Sequence, residues 1–129
     1  MIAVDTRALI YWLNNDKALT PVARATIDLE RESGEMLVSV ISVLEIMQLV
    51  EDGRLALSMD ARSWMSTMVS VEQVRMVPVD LEIAFKAAAL SRELSFEQRL
   101  IVATARTFGA PLVTPDARLH ELAHVESVW

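Results

Sequence analysis

Short apolar runs alternate with stretches of helical periodicity along the chain. Ile2 to Val4 reads as a buried strand with Asp5 at its end, and the apolar positions Leu9, Ile10, Trp12 and Leu13 predict a helix over Arg7 to Leu13, which Thr6 can start. Thr20-Pro21 is an N-cap followed by proline at the first helical position, opening a helix to about Ser33 that Gly34 ends. Met36 to Val40 reads as a second strand, followed by a helix over Ser42 to Glu51 with Asp52-Gly53 as its stop. A further helix is expected over Leu57 to Val71, its methionines filling core or meeting a partner. Met76 to Val79 is a third strand, and Asp80 caps a helix over Leu81 to Leu94. From Ser95, apolar positions including Leu100, Ile101, Ala105 and Phe108 predict a helix closed by Gly109. Leu112-Val113-Thr114 then forms a minimal strand, Pro115 ends its pairing, and Asp116 lands just beyond. A short helix near Ala117 to Leu122 and a strand over Val125 to Trp129 follow.

Strands alternating with helices imply a parallel sheet covered on both faces by helices, with the strands' carboxyl ends along one edge, where sites form. Three carboxylates fall on that edge: Asp5 after the first strand, Glu45 in the helix after the second, and Asp116 after Leu112 to Thr114. Clustered carboxylates repel unless a cation lies between them, and magnesium or manganese prefers such oxygen donors. Each acid also has a purely structural reading. Asp5 and Asp116 can cap the helices that follow, and Ser42-Val43-Leu44-Glu45 has the form of a capping box. Their joint placement at one edge is what favours a site.

Bulk properties narrow the classes. At 129 residues, 53% hydrophobic and 23% charged, the chain is expected to be one globular domain over residues 1–129. A net charge of −6 argues against a broad basic nucleic-acid surface. There is no cysteine, which removes thiol chemistry and fits a reducing cytoplasm. The opening residues lack a signal-peptide pattern, and no apolar run reaches the roughly 20 residues a membrane helix needs.

The stretches IAVDTRALI, SVISVLEI, RLIVATARTFGAPLVTPDARL and VESVW, in this order, resemble the PIN-domain family and, within it, the VapC-type ribonuclease toxins. The resemblance implies a three-layer α/β fold and a magnesium-dependent endoribonuclease site of four acids. It also implies an RNA substrate, a cognate antitoxin and a homodimer. Asp5, Glu45 and Asp116 match three of the acids, and Thr6 and Thr114 match hydroxyl positions beside the site. The departure is at the fourth acid, where Gln98 precedes Arg99. A neutral amide oxygen is a weaker ligand than a carboxylate. Three outcomes stay open: neighbouring Glu97 completes the metal site, three acids suffice, or the site is degraded. Ser95-Phe96-Glu97-Gln98 is itself a capping box, which gives Gln98 a structural reason to be there.

Arg7, Arg99 and Arg118 lie near the acidic edge in sequence, and Arg99 is the preferred phosphate contact. His120-Glu121-Leu122-Ala123-His124 spells the zinc-protease pattern HExxH, but in a short segment with no downstream third ligand. Solvated histidines in a turn are expected instead. Two rival functions remain: a PIN-like binding module whose nuclease site is degraded by Gln98, and another α/β protein using acids at strand ends, such as an aspartyl-nucleophile phosphatase or a receiver-like domain. The second is disfavoured by Arg7, which stands where a second aspartate belongs.

Overall fold

The computed structural model describes all of residues 1–129. Its elements run β1 (Ile2–Val4), α1 (Thr6–Leu13), α2 (Pro21–Ser33), β2 (Met36–Ser39), α3 (Val40–Glu51), α4 (Ala61–Val69), β3 (Val74–Val77), α5 (Leu81–Ala88), α6 (Phe96–Phe108), β4 (Leu112–Val113), α7 (Ala117–His120) and β5 (Ser127–Val128). The strands form one parallel sheet in the order β3-β2-β1-β4-β5. Because a strand sends successive side chains to opposite faces, β1 and β2 feed two cores. Ile2, Val4, Met36 and Val38 join a cluster of 14 buried residues with α1, α2 and α4. Ala3 and Leu37 join another 14 with α5 and α6. Equal cores on both faces make the expected three layers.

The chain builds β1, β2 and β3 outward in one direction, then crosses back to lay β4 on the other side of β1. The reversal falls between β1 and β4, where open parallel sheets form clefts at their carboxyl ends. Pairing of Val4 with Val113 brings the residues that follow, Asp5 and Thr114, side by side. No helix is long and apolar enough to cross a membrane.

Several boundaries differ from expectation for local reasons. Ser39, rather than Ser42, is the N-cap of α3, its hydroxyl accepting from the Ile41 amide at 3.2 Å, so this helix starts at Val40. The fourth helix begins only at Ala61, because Asp60 caps it through the Ser63 amide and hydroxyl. The third strand starts earlier than Met76, at Val74, and stops before Pro78, which has no amide to donate. The fifth helix ends at Ala88, well short of Leu94. The His120–His124 pair does not share a helical face: α7 ends at His120, and His124 lies beyond it with φ of 64°.

Other expectations hold. Thr20 caps α2 with Pro21 at its start, and Gly109 closes α6 in the left-handed conformation, φ 61°. A Cβ at Gly109 meets nothing within 4 Å, so Gly109→Ala tests backbone strain alone. The substitution is expected to lower stability by about 1 kcal/mol, read as a shifted denaturant midpoint at unchanged slope. An unshifted midpoint would show that α6 does not depend on this cap.

Candidate active site

Asp5 and Asp116 reach the cleft because each ends a strand and begins a helix. Asp5 caps α1, its Oδ1 accepting from the Ala8 amide at 2.8 Å. Asp116 caps α7, its Oδ1 accepting from the Arg118 amide at 2.9 Å. Both capping readings therefore hold: each cap uses Oδ1, while Oδ2 takes side-chain partners, Thr114 at Asp5 and Gln98 with Arg118 at Asp116. Glu45 differs. With α3 started by Ser39, the Ser42–Glu45 capping box does not form, and Glu45 lies one turn further into the helix.

Hydroxyls hold these acids. Thr114, fully buried, donates to Asp5 Oδ2 and accepts from the Asp116 amide at 3.1 Å, so one side chain spans both strand-end acids. Thr6 Oγ1 lies 2.5 Å from Glu45 Oε1 and 2.9 Å from Ser42 Oγ. Having one hydrogen, it donates to the carboxylate and accepts from Ser42. The sequence reading missed Ser42 as a support; an inward serine one turn after a strand end was the available signal. His120 Nε2 is 2.7 Å from the Thr114 carbonyl oxygen, a contact to this framework rather than plain solvation.

The cleft, of about 140 Å³, is lined by Asp5, Thr6, Arg7, Glu45, Glu97, Gln98 and Asp116, among others. Gln98 sits at its wall in a formed capping box, its Oε1 accepting from the Ser95 amide at 2.9 Å. Its Nε2 donates to Asp116 Oδ2. Arg118 also reaches that oxygen, at 3.1 Å. Arg99 is not among the cleft's lining residues; it faces a neighbouring groove, and Arg7 and Arg118 are the arginines at the acids.

The electrostatics separate the three acids. Burial raises the Asp5 carboxyl above its ordinary value, against the hydrogen bonds from Thr114 and Ala8, while the charge of Asp116 adds to the rise. Burial also raises Glu45, helped by repulsion from Glu97 and Asp5. Asp116 is lowered, first by its hydrogen bond from Arg118. The donors are all oxygens and the acids repel one another, which fits a hard divalent cation. Their present spacing is looser than a closed ligand set: no three Asp, Glu, His or Cys side chains gather as a group that could hold an ion. Asp116 meanwhile spends its Oδ2 on Gln98 and Arg118.

The PIN domain family model matches residues 2–125. The chain belongs to the PIN-domain family. Ribonuclease VapC22 of Mycobacterium tuberculosis is 30% identical over 132 residues, an alignment spanning 99% of this chain and 98% of that protein. Among solved structures, VapBC2 from Rickettsia felis bound to a promoter DNA fragment matches with a TM-score of 0.73 at 15% identity, covering 100% of this chain and 99% of that one. VapBC-5 from Mycobacterium tuberculosis, a toxin–antitoxin system, matches with a TM-score of 0.59 at 26% identity, covering 98% and 96%. This PIN domain thus shares its α/β fold along its whole length with VapC-type proteins.

A carboxyl whose pKa is raised on folding binds protons more readily in the native state, so ionising it costs stability at neutral pH. Asparagine at position 5 keeps the cap and removes that cost. With metal chelated, Asp5→Asn is expected to raise the melting temperature at neutral pH. The gain should fade as pH drops through the raised Asp5 value toward that of an ordinary aspartate. A gain that is absent at neutral pH, measured by thermal melts across the pH range, would show that the hydrogen bonds to Asp5 outweigh its burial.

Proposed function

We propose that this PIN domain is a divalent-metal-dependent endoribonuclease, the toxin of a toxin–antitoxin pair, acting in the cytoplasm on RNA phosphodiesters. The observation that carries the reading is the convergence of Asp5, Glu45 and Asp116 on one cleft at the β1–β4 reversal. The whole-chain similarity to a protein named as a ribonuclease supports it. Asp5, Glu45 and Asp116 would hold magnesium or manganese, with Glu97 or Gln98 completing the set. Such an ion, when bound, lowers the pKa of water and offsets charge on a phosphate.

The chain's own residues prepare that setting. Thr114 fixes Asp5 relative to Asp116, and Thr6 fixes Glu45. These hydrogen bonds orient the acids before any ligand arrives, which reduces the ordering that binding must do. Arg7, at the cleft wall, carries a cation suited to a phosphate oxygen beside the scissile bond. The antitoxin partner is inferred from the toxin–antitoxin complexes among the structural relatives. A homodimer is part of the same reading and is checked by mass in solution.

The test is cleavage of a mixed RNA pool by the purified chain with magnesium or manganese, beside Asp5→Asn. Metal-dependent cleavage that the variant loses, while it stays folded, is the expected result. Equal cleavage by both proteins would remove Asp5 from the chemistry and sink the assignment.

One observation favours a second reading, a binding module whose nuclease site is degraded. The Gln98 amide donates to Asp116 and supplies no charge, so the site meets a cation with one carboxylate fewer than the family pattern. On this reading the native chain is inactive and Gln98→Asp gains metal affinity. Thermal melts with increasing magnesium distinguish the two, because a ligand bound only by the native state raises the melting temperature. A nuclease shows the shift without substitution; a degraded site shows it only after Gln98→Asp.

A further inference from the structure

On the far side of α6 from the acids lies a groove of about 310 Å³ between α5 and α6. Val79, Ala84 and Ala87 give it small apolar walls, and Phe96, Arg92 and Arg99 complete it. Two features stand out. Phe96 is 68% exposed, far more than a residue serving the core. The Arg99 guanidinium lies 5.2 Å from the Phe96 ring centroid, held by cation–π attraction. Its Nε is buried with no hydrogen-bond partner. None of the chain's ion pairs includes Arg99 or Arg92, although acids outnumber bases 18 to 12. The groove therefore concentrates unpaired positive charge beside a flat aromatic face on an otherwise acidic protein.

Resting on the ribonuclease reading, we infer that this groove binds single-stranded RNA beside the cleavage site. A base stacks on Phe96, and a phosphate takes the Arg99 fork. Aromatic faces accept any base, and arginine pairs with phosphate oxygens, so the two recognise a nucleotide without reading its sequence. The groove and the acidic cleft share the first turn of α6. Phe96, Arg99 and Leu100 line the groove, whereas Glu97, Gln98 and Ile101 line the cleft. A helix is only about 10–12 Å across with its side chains, so a short run of nucleotides can pass around this turn from one to the other. That continuity favours the substrate over an acidic, apolar peptide, which the charge alone would also admit.

The experiment uses Phe96→Ala, Phe96→Tyr and Arg99→Gln in the full chain, with cleavage kinetics in magnesium and binding of a fluorescein-labelled single-stranded RNA in chelator. Phe96 is exposed, so its truncation leaves the core intact, and thermal melts confirm folding. Phe96→Ala is expected to raise KM and weaken probe binding by about 5- to 100-fold with little change in kcat. Phe96→Tyr should restore both, and Arg99→Gln should flatten the salt dependence of binding by about one phosphate contact. Native cleavage with an unchanged KM in Phe96→Ala would overturn the groove assignment and leave the ribonuclease reading standing. A native chain that neither binds nor cleaves RNA would overturn both. Capture of an acidic, leucine-rich peptide that Phe96→Ala abolishes, with RNA binding unaltered, would assign the groove to a protein partner and overturn the RNA proposal.

Discussion

The site depends on one hydrogen bond, from the Thr114 hydroxyl to Asp5 Oδ2. It joins residues 109 apart in sequence and ties the end of β4 to the end of β1, across the point where the sheet's strand order reverses. The same hydroxyl accepts from the Asp116 amide, so the loop that carries Asp116 is positioned by the bond that restrains Asp5. Thr114 is wholly buried, so the interaction is not screened by solvent and its loss would leave a buried carboxylate oxygen without a partner. The parallel sheet brings the two strand ends together, and this contact turns proximity into a defined geometry.

The fold was legible at several boundaries that had their own local chemistry. Proline after Thr20 and glycine after Phe108 mark helix ends that need no tertiary information, and both are found as expected. Legibility failed where two residues of the same type competed. Ser39 and Ser42 both precede apolar turns and both are buried, so position along the chain decides between them: Ser39, at the end of β2, takes the Ile41 amide, and Ser42, one turn into α3, goes inward to Thr6. That choice also decides Glu45, which leaves a capping role and enters the cleft. Arg75 hid the start of β3, because a charge in a short apolar run reads as a break. At a sheet edge it lies instead over the Phe108 ring, 4.9 Å from its centroid, and pairs with Glu35.

That Asp5, Glu45 and Asp116 meet in one cleft was readable because strand ends in a parallel sheet share an edge. Their supports were not, since hydrogen bonds between residues far apart leave no periodic trace. The arginines show the same limit. Arg99 is adjacent to Gln98 in sequence, yet successive helical positions are about 100° apart, so Arg99 turns to the α5 groove while Gln98 faces the acids. Sequence proximity placed the cation near the site without saying on which side of the helix it lies.

Gln98 shows how one side chain can serve helix and cleft at once. Its Oε1 completes the capping box with Ser95, satisfying an amide that the first turn of α6 cannot bond internally. Its Nε2 faces Asp116, where a carboxylate would add to a cleft that already raises Asp5 and Glu45 by burial and repulsion. An aspartate at this position would be shorter by one methylene and charged, weakening the reach back to Ser95 while sharpening repulsion. Glutamine therefore favours a cleft that stays assembled without a cation, and aspartate favours one that holds a cation tightly. The chain sits toward the first end of that exchange. Its helix start, its strand-end acids and its arginine at Asp116 are mutually satisfied, with Asp116 Oδ2 accepting from both the Gln98 amide and the Arg118 guanidinium.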